Sequence, residues 1–421
     1  MKLGLFFEHQ LPRPWLEGAE QRVFLESLAQ IEEADRLGFH AIWLVEHHFL
    51  EEYSHCSAPE VILAAASQRT ERIRLGHGVR LMPPQFNPPQ RVAEMLAMLD
   101  VISNGRVEWG TGSCSSRTEL EGFDVDNQAR HRLWAETTRE VARMLSLPVY
   151  PGFEGETFRM PPRNILPKPI QTPHPPLWMA CSHRDTIRIA AQHGLGALTF
   201  AFLTPAEARE WVDEYHRAFR ASCVPIGAAP NPQVAMIAGF GCHPEKAEAI
   251  ARFQEGFLFY EFALRYYYYF GRHYPGASSI HDLFVESGRG RESAAASQRL
   301  FDTPAALRDL YREYDEAGVD QLILIQQVGH TRHEHILEAN ELIARELLPE
   351  LVERDEAQQA AKRARITPHV EAALERKRAQ ELEQGTETGP PAQYHVDAYG
   401  LTQNPALLLG FKKRHLGDRD R

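Results

Sequence analysis

Short apolar runs of strand length alternate with longer amphipathic stretches from the start of the chain to about residue 350, and few folds accommodate that rhythm. It opens with "KLGLFFE" (2–8), passes through the helical "ESLAQIEEADRLGFH" (26–40) and returns to an apolar run in "AIWLVEH" (41–47). A β, α, β order implies parallel strands, because parallel neighbours need a crossover of a dozen or more residues. "IRLGHGVRLM" (73–82) follows "PEVILAAASQRTER", and "RVEWGTG" (106–112) follows "PQRVAEMLAMLDVIS". "PLWMAC" (176–181), "GALTFAF" (196–202), "VAMIAGFGC" (234–242) and "QLILIQQV" (321–328) complete a set of eight. Eight strand-helix units predict an α/β fold, a (β/α)8 TIM barrel with an insertion before the last strand. Periodicity counts elements without closing a ring, so a doubly wound sheet stays open at this point. In either architecture the reactive groups belong at the carboxyl ends of the strands.

Two regions break the rhythm. Residues 253–301 carry an aromatic-rich helical pattern, "FLFYEFALRYYYYF", followed by a Gly/Ser/Arg-rich stretch that reads as a mobile loop. Such an insertion is expected to act as a lid. After about residue 351 the chain turns strongly charged, with a helical "PHVEAALERKRAQELEQ" and a Gly/Pro break at "GTETGPPAQ". The expected division is a barrel over 1–351 and a charged C-terminal extension over 352–421.

With 43% hydrophobic and 24% charged residues in 421, the chain can bury a large core. A formal net charge of -11 argues against nucleic acid or an anionic membrane as the partner. Five cysteines lack the C-x-x-C spacing of a zinc site, and their odd number argues against a closed disulfide framework. No stretch approaches the roughly 18 uninterrupted apolar residues of a membrane helix. The expectation is a soluble, cytoplasmic protein.

The run "AIWLVEHHFL" (41–50) ends in Glu46, His47 and His48. Successive strand side chains point to opposite faces, so one histidine can enter the barrel mouth while its neighbour turns away. Imidazole suits acid/base work near neutral pH. A hydrogen-bonded but idle histidine fits the position equally well. No metal is predicted: the adjacent pair lacks i, i+4 spacing, and His333 and His335 fall on different helix faces. "SHRD" (182–185) has no G-x-S-x-G elbow beside it, which disfavours a hydrolase.

"GTGSCSSR" (110–117), after the fourth strand, has the glycines and hydroxyls of a backbone cradle for phosphate. "ACSHRDT", after the fifth, places Ser182 at a helix start with Arg184 close by, where an ordinary N-cap is the other reading. Two phosphate-compatible turns at one mouth suggest a phosphorylated cofactor.

Together "AIWLVEHHF", "IRLGHGVRLMP", "NPPQRVAEMLAMLDVISNGRVEWGTG", "TELEGFDVD" and "PAALRDLYREYDEAGVDQLIL" resemble the bacterial luciferase-like flavin-dependent monooxygenases, in the family's order and from residue 1 to about 351. The resemblance implies a (β/α)8 barrel that takes reduced FMN from a separate NAD(P)H:flavin reductase. It implies oxygen addition at the flavin ring and use of the resulting peroxyflavin on a small organic substrate, which the aromatic insertion suggests is apolar or aromatic. His47 then matches the catalytic acid/base and His48 is structural. Gly78-Val79 matches a non-prolyl cis peptide whose second residue bulges beneath the flavin.

The chain departs from the luciferases proper where a cysteine-arginine pair follows the fourth strand, for Gly112 and Ser113 stand there and Cys114 comes two places late. The flavin phosphate is then expected to be held by Ser113, Ser115 or Arg117. After the fifth strand only Ser182 carries over. Pairing through helices into a homodimer or larger homo-oligomer is also implied. Two alternatives stand beside this reading: deazaflavin-dependent hydride transfer on the same fold, and a non-catalytic flavin-binding partner subunit.

Overall fold

The computed structural model describes residues 1–239, 241–288 and 299–383. Eight parallel strands form its centre: β1 (Lys2–Phe7), β2 (Ala41–Leu44), β3 (Arg74–His77), β4 (Val107–Gly112), β5 (Leu177–Cys181), β6 (Gly196–Thr199), β7 (Val234–Gly239) and β8 (Gln321–Gln327). Each strand pairs with the next, β8 returns to β1, and the β3–β4 pairing closes the ring. The doubly wound alternative is thereby excluded, since an open sheet has two unpaired edges. The strands read as near-continuous apolar runs because one face meets the barrel interior and the other the surrounding helices. The interior is filled by side chains, with the rings of Trp43 and Trp178 meeting edge to face at 5.5 Å.

Several strands stop earlier than their apolar runs. The ladder of β2 ends at Leu44, so Glu46, His47 and His48 lie on irregular backbone beyond it, and the strict alternation expected for the histidines does not apply. The "RLGHGVRL" run is likewise two pieces, Arg74–His77 and Arg80–Leu81, separated by a cis Gly78–Val79 peptide bond. Both breaks lie on the same rim, since Leu44 pairs with His77.

The insertion leaves and rejoins the barrel through a two-residue parallel ribbon, Gly241–Cys242 against Phe301–Asp302. Between them run the helix Lys246–Arg265, a π-helical turn at Tyr266–Phe270 and the short helix Ile280–Glu286. The Gly/Ser/Arg-rich stretch falls largely on residues 289–298, outside the described residues. Phe253, Phe257, Phe259, Tyr260 and Phe262 are buried, while Tyr269 and Phe270 are exposed, so the aromatic run serves chiefly to dock the insertion onto the barrel. Glu52, fully buried in the loop after β2, fastens it there. Its carboxylate accepts from the backbone N–H of Ile280 (2.5 Å) and His281 (3.1 Å), and also from that of Arg13 (2.8 Å).

At the far end of the chain one helix runs unbroken from Leu348 to Glu383, so the boundary expected near 351 falls within it. Ala373 is buried, Arg376 donates to the carbonyl of Cys223 (2.8 Å) and Lys377 to that of Pro225 (3.0 Å). This stretch packs on its own barrel. The Gly/Pro break that follows lies outside the described residues.

Candidate active site

Glu46 answers why an apolar run should end in a carboxylate. It is 3% exposed and accepts hydrogen bonds from the backbone N–H of Leu81 (2.9 Å), from Asn87 Nδ2 (2.7 Å) and from His48 Nε2 (3.3 Å). Burial pushes its pKa up, but Arg80 at 3.6 Å and these donors outweigh burial and hold it below the ordinary carboxylate range. Glu46 is thus a fixed anion that ties the end of β2 to the end of β3. His48 belongs to the same structural unit: its ring lies 4.8 Å from that of Phe123 and 6.0 Å from that of Phe86.

His47 turns the other way. Its Nδ1 donates to Glu119 Oε1 at 3.1 Å, while its Nε2 lies 3.6 Å from Glu8 Oε1. Glu119 sits in the short helix Arg117–Gly122 after β4 and accepts from the backbone N–H of His48 (2.8 Å) and the Cys114 thiol (3.5 Å), so its carboxylate is immobilised before it meets the imidazole. Burial pulls the His47 pKa down, but Glu119, Glu8 and Glu46 together lift it to about 9. Glu8 follows directly after β1 and is 1% exposed. Burial pushes its carboxyl up to about 7 against the opposing pull of His47. Both Glu8 and Glu119 escaped the sequence reading. Glu8 is the last residue of an apolar run, and Glu119 stands 72 positions from its partner, inside a segment whose composition resembles any short surface helix.

Val79, second residue of the cis bond, is half buried at the mouth beside β4. A Cβ placed on Gly112 would come within 2.6 Å of Val79 Cγ2, and one on Gly110 within 2.0 Å of the His77 carbonyl oxygen. The glycines of "GTG" are therefore needed for close approach between β3 and β4. Phe200 and Phe202 after β6, and Tyr268 from the insertion, are likewise half buried, giving the rim an apolar and aromatic character.

The proposed phosphate residues separate. Ser113 is half buried, and its Oγ accepts from Arg130 Nη1 at 3.1 Å and lies 3.2 Å from His131 Nδ1. Arg130 begins the helix Arg130–Ser146 and also donates to the carbonyl of Cys114. Arg117 is turned outward, 88% exposed and paired with Glu121 at 2.5 Å. Ser115 is exposed, as is Ser182, which lies two residues before the helix Arg184–Gln192, whose N-cap is His183 and not the serine. The structure thus gathers Ser113 with Arg130 and His131, two residues that sequence reasoning missed because they lie beyond the Gly/Ser turn.

This set of groups fits a flavin mononucleotide. Val79 and the glycines of β4 would give a flat ring an apolar seat, and an arginine at a helix start beside a serine has the chemistry a phosphate dianion calls for. No group of three or more His, Cys, Asp or Glu able to hold a metal occurs among the described residues, and no described helix is long and apolar enough to cross a membrane.

Residues 1–348 match the family described as luciferase-like monooxygenase. An uncharacterized protein of Sinorhizobium fredii is 35% identical over 179 residues, 42% of this chain and 50% of its own length, so the match spans about half of that relative. The oxygenase component of the flavin-dependent trigonelline monooxygenase of Acinetobacter baylyi is 25% identical, with 76% of this chain and 88% of that protein covered. Among solved structures, the monooxygenase RslO1 of Streptomyces bottropensis superposes with a TM-score of 0.67 at 28% identity, covering 83% of this chain and all of that one. A coenzyme F420 dependent reductase of Methanopyrus kandleri shares the fold alone, with a TM-score of 0.59 at 18% identity over 83% of this chain and 99% of that one. The closed barrel and the match over residues 1–348 lead to one conclusion: the chain belongs to the luciferase-like monooxygenase family.

Proposed function

We propose that this protein is the oxygenase of a two-component system, using reduced FMN supplied by a separate flavin reductase to oxygenate a small apolar or aromatic substrate. Reduced FMN, when bound, supplies the two electrons that let dioxygen give one atom to the substrate and the other to water. The observation that carries the reading is His47, held by Glu119 on the rim beside the Val79–Gly112 seat.

Each part of the work falls to residues of this chain. Arg130, Ser113 and His131 would hold the phosphate, with Ser182 just ahead of the neighbouring helix. Val79 would support the ring from below. Glu119 fixes Nδ1, so Nε2 is the imidazole nitrogen free to give or take a proton. The insertion, fastened by Glu52, excludes water from the mouth, which suppresses wasteful release of peroxide.

Anaerobic titration with reduced FMN and, separately, reduced deazaflavin, followed by turnover under labelled dioxygen with a flavin reductase present, tests the proposal. Preferential binding of reduced FMN and one labelled oxygen atom in the product support it. Preferential deazaflavin binding with no label would replace it by hydride transfer, and flavin binding without turnover by a partner-subunit role.

A further inference from the structure

We propose that Glu8 is the proton-relay partner of His47, exchanging a proton with Nε2 while Glu119 holds Nδ1. The proposal rests on the assignment of His47 as acid/base, and extends it to a residue that follows a different strand.

The placement of Glu8 is the argument. Its carboxyl is 1% exposed and its Oε1 has no hydrogen-bond partner, an arrangement that burial makes costly unless a proton or a cation is shared. That oxygen lies 3.6 Å from His47 Nε2, slightly beyond hydrogen-bond reach. Such contacts are often long without ligands and shorten on binding. The groups facing Glu8 come from several elements: His47, Tyr53 and Cys56 from beyond β2, Glu119 from beyond β4, and Tyr260 and Tyr268 from the insertion. His47 supplies the cationic partner in this set. The others are neutral groups except Glu119, which disfavours a second buried anion.

The hydroxyls complete the pathway. Tyr53 donates to Tyr260 at 3.1 Å, their rings stack at 5.5 Å, and both hydroxyls face Glu8, opposing the rise that burial gives its carboxyl. When the imidazolium gives its Nε2 proton to a developing oxygen anion of the substrate at the mouth, that N–H breaks as an O–H forms, and the freed Nε2 then takes the Glu8 carboxyl proton, whose O–H breaks as a new N–H bond forms. The resulting carboxylate faces a restored imidazolium and accepts from the tyrosine pair. A proton from solvent later refills Glu8, so each cycle balances. Because Tyr260 belongs to the insertion, the relay is complete when the insertion is docked.

The test is an NMR titration of the flavin-free, full-length protein between about pH 5 and 10, following the His47 imidazole, assigned by the signal lost in His47→Gln. The expected curve has two steps, the lower transmitted from Glu8. In Glu8→Gln the lower step disappears and the upper step moves to lower pH, because imidazolium loses one anionic neighbour. In turnover assays the same variant should lose about tenfold or more in kcat, with little change in KM and with the lower limb of the pH profile removed. A lower step that survives in Glu8→Gln overturns the proposal. Should that variant fail to fold, Tyr260→Phe decides the matter: loss of the hydroxyl should move the lower step upward, and an unmoved step overturns the relay. If His47→Gln turned over normally, the acid/base role of His47 would fall instead, while the titration would still report whether the two groups are coupled.

Discussion

Nδ1 of His47 lies 3.1 Å from Oε1 of Glu119, joining the end of β2 to the helix after β4 across 72 residues of sequence. The contact selects which imidazole nitrogen can work. Replacing His47 by Ala should lower kcat by about 100-fold or more, the range a positioned acid/base contributes, while reduced-FMN affinity stays within a few-fold. Glu119→Gln should keep the geometry but weaken the charge, costing less in kcat and shifting its pH profile downward. Steady-state kinetics beside anaerobic flavin titration decides it. Unchanged turnover in His47→Ala would refute the role.

Two arginines near the fourth strand now make opposite predictions. Arg130 touches Ser113, whereas Arg117 is spent on Glu121 at the surface. Arg130→Ala should weaken reduced-FMN binding by about 10- to 100-fold, the worth of a charge-assisted contact, and leave riboflavin, which has no phosphate, almost unaffected. Arg117→Ala should change neither. Equal losses for both flavins in Arg130→Ala would mean that the residue supports the fold and not the phosphate.

Close approach between β3 and β4 gives a third. The Cβ of Gly112→Ala would meet Val79 Cγ2 at 2.6 Å, so the substitution should destabilise by about 1–3 kcal/mol through overpacking. Val79→Ala removes that methyl. The double variant should therefore recover much of the loss, giving a coupling energy of about 1 kcal/mol or more in denaturant midpoints. Strict additivity would show that the two side chains do not compete for this space.

The parts of this molecule legible from sequence are those written by periodicity or by short contiguous motifs. The eight strands, their parallel sense and the insertion followed from the alternation of apolar runs. Strand ends did not, because β2 stops where Glu46 turns to capture Leu81 and Asn87, a tertiary event with no local signature. The site divides in the same way. His47 and Gly78–Val79 stand in contiguous motifs, whereas Glu8, Glu119 and Arg130 gain meaning only when the barrel closes and distant loops meet. Arg117 shows the reverse: its residue type suits a phosphate, but helix geometry aims it at Glu121, four positions on.

The lid reading depends on Glu52, whose buried carboxylate holds the backbone of Ile280 and His281. Glu52→Ala leaves those N–H groups unpaired at a cost of about 1–3 kcal/mol, enough to loosen the insertion without unfolding the barrel. Limited proteolysis should then cut within residues 271–281 at least several-fold faster than in the unaltered protein, and the yield of peroxide per turnover should rise as water enters. Faster cleavage without more peroxide would separate the latch from the shielding.

The half-buried His47 and the buried Glu8 also make folding a proton-binding event. His47 is raised from 6.5 to about 9, so its contribution to stability is fully present below about pH 6.5 and is lost as pH rises through about 9. Glu8 is raised from 4.5 to about 7, so the folded protein keeps a proton that the unfolded chain has released, and stability again falls as pH rises from about 4.5 through about 7. The two effects have the same sign. Measured against a Glu8→Gln/His47→Gln double variant in denaturant titrations, the advantage of the unaltered protein should shrink steadily between about pH 5 and 9. An advantage that stayed flat over this range, or grew with pH, would mean that the pair folds without taking up protons and that the imidazole between Glu8 and Glu119 is neutral.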